Sequence, residues 1–541
     1  MQFAGFSPFA ASITRQKYSH GGREDWPDIA RRVAVHVLGA LGYGPHSDEV
    51  REVTQLIIDR KFLPGGRYLY AAGRDFHQVN NCLLMRAEDT REGWADLAYK
   101  TTMALMSGAG IGVDYSSLRP SGAEVKRTGG QASGPCSLMH VVNEGGRQYM
   151  QGGSRRSAIW AGLNWAHPDI FTFIRLKDWS PEMRALKAKN QNFWMPMELT
   201  NISVQLDDLF FEAFTSPGHI LYSHAHEVYW KTIEKMLVTG EPGFSIDTFE
   251  NAGETLRNAC TEVTSADDSD VCNLGSLNLA RIGSRDELEH ALDLSTLFLV
   301  AGTVYSHVPY EKVSEVREKN RRLGLGLMGV HEWLLQRNKP YGPDDELGLW
   351  LEDYSQATSV AGRHADSHGL SRPVKTRALA PNGTIGIIGE TTTSMEPVFA
   401  KAFKRRYLSG QTWRHQFVVD PTVDRLVKDY GVNPDSVEDA YDLSHKVEKR
   451  VAMQTFIQSY VDHGISSTIN LPHPMTDPQD QREFGDMLIQ YLPYMRGVTC
   501  YPNGARGGQP LEVIGYNYAK KQEGVVFETD EETCIGGICG V

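Results

Sequence analysis

Five of the seven cysteines in this chain fall where they restrict how it can fold. Cys260 lies within Asn258-Ala259-Cys260-Thr261-Glu262, and Cys272 follows in Cys272-Asn273-Leu274-Gly275. Cys82 stands far upstream, in Asn80-Asn81-Cys82-Leu83-Leu84. Cys534 and Cys539 close the chain as Cys534-Ile535-Gly536-Gly537-Ile538-Cys539. A thiol with an amide at i−2 and a carboxylate at i+2 gathers three different chemistries. Extended backbone sends alternate side chains to one face, so an extended segment turns all three toward one site.

An odd number of cysteines in a long chain points to a reducing compartment rather than a disulfide scaffold. Met1-Gln2-Phe3-Ala4-Gly5-Phe6 lacks the basic start and apolar core of a secretion signal. No run approaches the ~20 apolar residues of a membrane helix. The expectation is a cytoplasmic enzyme without membrane association. A net charge of −12 argues against nucleic acid as partner, which needs a basic face. It leaves room for a small polyanion, because helix N-termini and backbone nests bind phosphate even in an acidic protein.

Residues 1–75 read as a helical N-terminal region. Asp25-Trp26-Pro27-Asp28-Ile29-Ala30 opens one helix over 25–41, another covers 48–61, and Pro64-Gly65-Gly66 breaks the pattern. Over 76–515, short β-like runs such as Ile111-Gly112-Val113-Asp114 and Ile202-Ser203-Val204-Gln205-Leu206 alternate with helical stretches. That alternation implies a largely parallel α/β architecture, and periodicity does not distinguish an open sheet from a barrel. Asp89 is placed to cap a helix over 90–106, with Glu92 as capping-box partner and Ser107-Gly108 as its end. Residues 516–541 are polar and acidic and read as a flexible tail carrying the last two cysteines. Gly536-Gly537 gives that pair the backbone freedom to close a disulfide.

The Asn-x-Cys-x-Glu set is followed in order by Arg321-Arg322-Leu323-Gly324-Leu325-Gly326, Ala380-Pro381-Asn382-Gly383-Thr384-Ile385-Gly386 and Glu396-Pro397-Val398-Phe399. Together they resemble the large chain of ribonucleotide reductases, from about Phe62 to the C-terminus. The resemblance implies a ten-stranded α/β barrel with Cys260 on a central finger loop. It implies reduction of ribonucleoside di- or triphosphates to 2′-deoxyribonucleotides by thiyl-radical chemistry. Cys260 then becomes the radical that removes the 3′-hydrogen, Glu262 accepts the 3′-hydroxyl proton, and Asn258 orients the hydroxyls. Cys82 and Cys272 supply electrons as the 2′-hydroxyl leaves as water, ending as a disulfide. Cys534 and Cys539 carry electrons to that disulfide from a thioredoxin- or glutaredoxin-type reductant. The alternative for a C-x4-C pair is half a zinc site, and no second pair exists to complete it.

The same resemblance assigns substrate phosphates to Asn382, Gly383, Thr384, Ile385 and Gly386, with Asn81 also at the substrate. Arg67-Tyr68 stands where many relatives carry a small hydroxyl residue. Gln151, Arg155 and Arg156 lie in a segment resembling the loop that relays a deoxynucleoside triphosphate effector, and arginine suits its phosphates. Asp89 either holds the effector sugar or only caps its helix. The stretch before Cys82 is short for the extra nucleotide-binding domain of many reductases, so no overall-activity switch is expected there.

Reductases with a separate metal subunit pass the radical through adjacent tyrosines near the C-terminus. This chain contains no Tyr-Tyr pair. Gly497-Val498-Thr499-Cys500-Tyr501-Pro502-Asn503-Gly504 instead resembles the class that uses adenosylcobalamin as radical source. Spacing between Cys82 and Cys260 leaves no room for the insertion of a monomeric branch, so a homodimer is expected. Pro64-Gly65-Gly66-Arg67 and the C-x4-C ending do resemble the monomeric, triphosphate-using branch, so diphosphate and triphosphate both stay open. The rival functions are a large subunit needing an external radical-generating partner and an inactive nucleotide-binding protein on the same fold. Cys136 and Cys500 read as structural. Gly324-Leu325-Gly326-Leu327-Met328-Gly329 spells a dinucleotide fingerprint, but the charged stretch before it does not read as the required strand. His224-Ala225-His226 reads as surface, and no metal site is assigned.

Overall fold

Three helices lead into the molecule: α1 (Pro8–Tyr18), α2 (Trp26–Gly39) and α3 (Asp48–Ile58). The computed structural model describes residues 5–80, 82–126, 129–149, 157–190, 193–409, 412–503, 511–522 and 526–528. Asp25 and Asp28 form a reciprocal capping box at the head of α2, and Ser47 caps α3. Their apolar stripes, including Ile29, Val33, Val37, Val53 and Ile57, pack into the larger core.

Helix α4 (Arg91–Met106) departs from its expected start. Thr90, not Asp89, is the cap: its extended backbone lets Oγ1 accept from Gly93 N–H at 2.8 Å. Asp89 instead pairs with Arg119 at 2.8 Å. Glu92, in the helix's first turn, takes no part in a capping box. A cap one residue later satisfies the same orphan donors, and spacing alone does not choose between adjacent cap-formers.

Five strands run parallel in sequence order: β1 (Cys82–Arg86), β2 (Gly110–Asp114), β3 (Ile159–Asn164), β4 (Thr200–Asp207) and β5 (Gly243–Asp247). β6 (Asp270–Asn278) pairs antiparallel with β1, and β7 (Leu323–Met328) lies parallel beside β6. Parallel bridges continue from Leu325 to Arg377 and from Leu379 to Ile465. The run then becomes β8 (Ile469–Leu471), which pairs parallel with β10 (Cys500–Pro502). Immediately before β10, β9 (Gly497–Val498) pairs antiparallel with β5, so the ladder returns to the first half. Five parallel segments thus face five others across two antiparallel seams, and the sheet closes as the expected barrel. Closure removes exposed sheet edges.

Helix α5 (Arg285–Tyr305) is the long crossover between β6 and β7, and it is buried over most of its length. The short helix α6 (Gly383–Gly389) follows the bridged segment around Leu379. The glycines of Gly324-Leu325-Gly326 lie inside β7 itself, so no strand-to-helix turn carries them. A hairpin of Ala402–Ser409 and Thr412–Val419 stands apart as a second sheet, with Leu511–Val513 and Val526–Glu528 on its edges.

The segment from residue 516, read from composition as a flexible tail, begins with packed structure. Helix α7 (Tyr516–Lys521) buries Ala519, and Tyr516 donates to Asp424 at 3.1 Å. Composition missed this because a few contacts, of Tyr516 and Lys520 with Asp424 and of Tyr518 with Phe417, suffice to seat a short helix. Among the described residues no helix is long and apolar enough to cross a membrane.

Candidate active site

Between β5 and β6 the chain turns inward as a loop with two-residue strands Leu256–Arg257 and Thr264–Ser265 at its base. Gln205 of β4 donates to Thr255 O at 2.8 Å, and Thr255 Oγ1 donates to Asp114 of β2 at 2.6 Å. Leu256 and Val263 pack with Cys82, Leu84, Cys272, Leu274, Ala378 and Ala380, which come from both halves of the barrel. The loop therefore occupies the barrel axis. Gly112 makes the room: a Cβ there would lie 1.9 Å from Arg257 O. Gly464 approaches from the opposite wall and donates its N–H to Glu262 O at 2.7 Å.

Cys82 and Cys272 stand directly opposite each other in the β1/β6 seam. Opposed antiparallel residues have Cα atoms about 4.5–5.5 Å apart, within the range a disulfide spans. Both are thiols here, and both are buried. Burial, reinforced by the Glu262 carboxylate, pushes each thiol well above its ordinary pKa. They therefore hold their protons until something takes them.

Asn258 Nδ2 donates to Cys82 Sγ at 3.0 Å, and Glu262 Oε1 lies 3.9 Å from the same sulfur. Asn258, Cys260 and Glu262 do converge, but not by extended alternation. Thr261 N–H donates to Asn258 O at 3.1 Å and Thr261 takes φ 69°, so the tip is a tight turn. The turn buries Asn258 and Glu262 and leaves Cys260 half-buried at the tip. Asn258 Oδ1 accepts from Val263 N–H at 3.0 Å, which fixes its amide orientation. Burial raises the Glu262 carboxyl to about 7, against hydrogen bonds from its own backbone, Asn258 and Cys82 that lower it. Among the described residues Oε2 of Glu262 has no partner. A buried acid poised near neutrality beside two protonated thiols can exchange protons with a substrate hydroxyl.

A buried charge cluster holds the loop base, and the sequence reading did not single it out. Arg322 reaches Asp270 at 2.6 Å and Glu254 at 3.1 Å; Lys375 also pairs with Glu254. Thr264 Oγ1 donates to Glu254 at 2.7 Å. Arg322 was visible only as part of a motif, and its two partners, Asp270 and Glu254, lie more than 50 positions upstream.

Asn382 heads α6 with φ 57°. Its side chain is committed to the barrel, accepting from Ser276 at 3.1 Å and donating to Leu327 O at 3.2 Å. Gly383 is exposed, Thr384 half-buried, and Ile385 and Gly386 are buried. The backbone of Gly383 and Thr384, rather than the Asn382 amide, is what this segment offers a ligand. Arg67 donates to the carbonyls of Gln78 and Ser107, at 3.0 and 2.9 Å. Asn81, Gln151, Arg155, Arg156, Cys534 and Cys539 lie outside the described residues. Cys136 is half-buried and Cys500 is buried in β10. His224 Nε2 meets Trp165 O and the His226 ring stacks on Phe214. Among the described residues no group of acidic, histidine and cysteine side chains is arranged to hold a metal.

Residues 80–241, 222–350 and 363–490 match the family described as ribonucleotide reductase, barrel domain. The chain is 28% identical to a vitamin B12-dependent ribonucleoside-diphosphate reductase of Mycobacterium tuberculosis, over 93% of this chain and 80% of that protein. It is 26% identical to a putative adenosylcobalamin-dependent ribonucleoside-triphosphate reductase of Mycobacterium phage D29, over 97% and 83% respectively. The fold is similar to that of the Actinobacillus ureae class Id ribonucleotide reductase alpha subunit. The TM-score is 0.71 at 16% identity, covering 94% of this chain and 99% of that one.

Proposed function

The chain belongs to the ribonucleotide reductase barrel family, and from that premise we propose that it reduces ribonucleoside di- or triphosphates with adenosylcobalamin as radical source. One observation carries the reading. Two protonated thiols face each other across the β1/β6 seam, and the amide and carboxyl flanking a third cysteine are aimed at one of them.

Cys260, as a thiyl radical, takes the 3′-hydrogen atom from the ribose. Glu262 accepts the 3′-hydroxyl proton, and Asn258 orients the hydroxyls. Cys82 and Cys272 then give two electrons and two protons: one hydrogen ends on the 2′-carbon, the other leaves in water, and a disulfide forms. Cys260 returns its hydrogen atom to the 3′-carbon and Glu262 its proton to the 3′-oxygen, which regenerates the thiyl radical. Backbone N–H groups of Gly383 and Thr384 at the head of α6 hold the phosphates. Thr384 Oγ1, Ile385 and Gly386 complete that turn.

The chain's own residues fit adenosylcobalamin at the loop tip. Cys260 is the half-buried thiol of the three, and Gly497, which neighbours the adjacent Thr261, carries no side chain. A Cβ at Gly497 would lie 3.8 Å from Thr261 Oγ1. Gly497 and the wall running to Asn503 would line the seat. When bound, adenosylcobalamin supplies the homolysis that lets Cys260 lose a hydrogen atom. Asp89 and Arg119, with Gln151, Arg155 and Arg156, form the deoxynucleoside triphosphate effector site of a homodimer. Cys534 and Cys539 relay electrons from a thioredoxin- or glutaredoxin-type protein in the cytoplasm.

Purified chain, incubated with ribonucleoside di- or triphosphate and a dithiol, is expected to form deoxynucleotide only when adenosylcobalamin is added. The Cys260→Ser variant is expected to form none. Product that appears only with a second protein would overturn the cofactor assignment, and turnover by Cys260→Ser would overturn the site.

A further inference from the structure

His463 is buried beside the returning leg of the Cys260 loop. Its backbone is tied on both sides: the N–H donates to Arg377 O at 3.0 Å, and the carbonyl accepts from Gln458 Nε2 at 2.8 Å. Its Nδ1 accepts the Thr264 N–H at 3.1 Å. An imidazole nitrogen that accepts a backbone N–H carries no proton, so the ring's proton sits on Nε2. Nε2 is buried without a partner among the described residues. Burial keeps the ring neutral, and so do the nearby guanidinium and ammonium groups of Arg322, Lys375, Arg257 and Arg377.

A buried N–H without an acceptor is destabilising, and an apolar side chain of similar size would avoid it. The use of this residue therefore lies in its other nitrogen. Thr264 N–H and Glu262 O flank Val263, and they are held by His463 and by Gly464 in turn. Thr264 Oγ1, 3.2 Å from the same Nδ1, donates its proton to Glu254. We propose that His463 is a positioning residue for the reaction: its Nδ1 pins the returning leg and so sets where Glu262 and Cys260 stand. This rests on the reductase reading of the loop.

The full-length protein decides it with three variants. His463→Asn places an acceptor oxygen where Nδ1 stands, His463→Gln places one nearer Nε2, and His463→Leu places none. Amide hydrogen exchange of the peptide spanning 256–265 is expected to quicken about fivefold in the Leu and Gln variants, the equivalent of one lost hydrogen bond. It is expected to stay as in wild type for Asn. With ribonucleotide, dithiol and adenosylcobalamin, His463→Leu is expected to lose about 100-fold in kcat, as a misplaced catalytic group does. KM is expected to hold, and His463→Asn to keep most of the rate. Equal exchange in Asn and Gln, or wild-type kcat in Leu, would overturn the proposal. Should Leu not fold, the Asn and Gln pair still decides. Exchange needs neither substrate nor cofactor, so a wild-type chain that makes no deoxynucleotide would sink the reductase reading and leave the anchor separately tested.

Discussion

In the proposed reaction Glu262 acts as a base, yet it lies where ionisation is costly. Burial holds its carboxyl near 7 rather than 4.5. Between those values the folded chain keeps a proton that the unfolded chain has lost, so this group's stabilising contribution is full below 4.5 and declines as pH rises through 7. The decline is about 3 kcal/mol. Comparing the unfolding free energies of wild type and Glu262→Gln from about pH 5 to about pH 8 isolates it, and parallel curves would refute it. Activity moves the other way. A base must be ionised, so kcat is expected to climb across the same window and level off above 7. A flat profile would remove Glu262 from the proton transfer. Cys82 and Cys272, held well above their ordinary pKa, stay thiols throughout this window.

The loop works as an element because both barrel halves leave space for it and then grip it. Gly112 supplies the space: any Cβ there meets Arg257 O at 1.9 Å, and a backbone carbonyl cannot swing aside as a side-chain tip does. Gly112→Ala is expected to displace the first leg, cost about 1–3 kcal/mol through overpacking, and cut kcat about 100-fold. Thermal unfolding and steady-state rates measure the two effects, and a variant with wild-type rate would show that the leg is slack. The grip is electrostatic: buried Arg322 and Asp270 with half-buried Lys375 and Glu254, four charges that cancel. Removing one partner of such a set leaves an uncompensated buried charge.

Across the whole molecule, the barrel buries the Cys82–Cys272 pair. On the proposed reading, electrons from a protein reductant reach it through the chain's own Cys534 and Cys539. Cys534→Ser is expected to allow about one turnover per site and then stop when a thioredoxin-type protein is the reductant, because exchange needs a second thiol to resolve the mixed disulfide. Product counted against enzyme in a rapid-quench assay tests this, and sustained turnover would refute the relay. Local pattern determined much of this protein. The helices opening at Asp25 and Asp48, the alternation of β-like and helical runs, and the Asn-x-Cys-x-Glu grouping depend on near neighbours, and all were readable from residue order. Asp89 against Thr90 was not, because either side chain reaches the same donors. Nor was the packed helix after residue 515, since a few docking contacts outweigh a polar composition. The register that sets Cys82 opposite Cys272 and the anchoring of Thr264 by His463 belong to tertiary structure alone. They join segments up to 199 positions apart, and only the order in which strands close the barrel decides which residues meet.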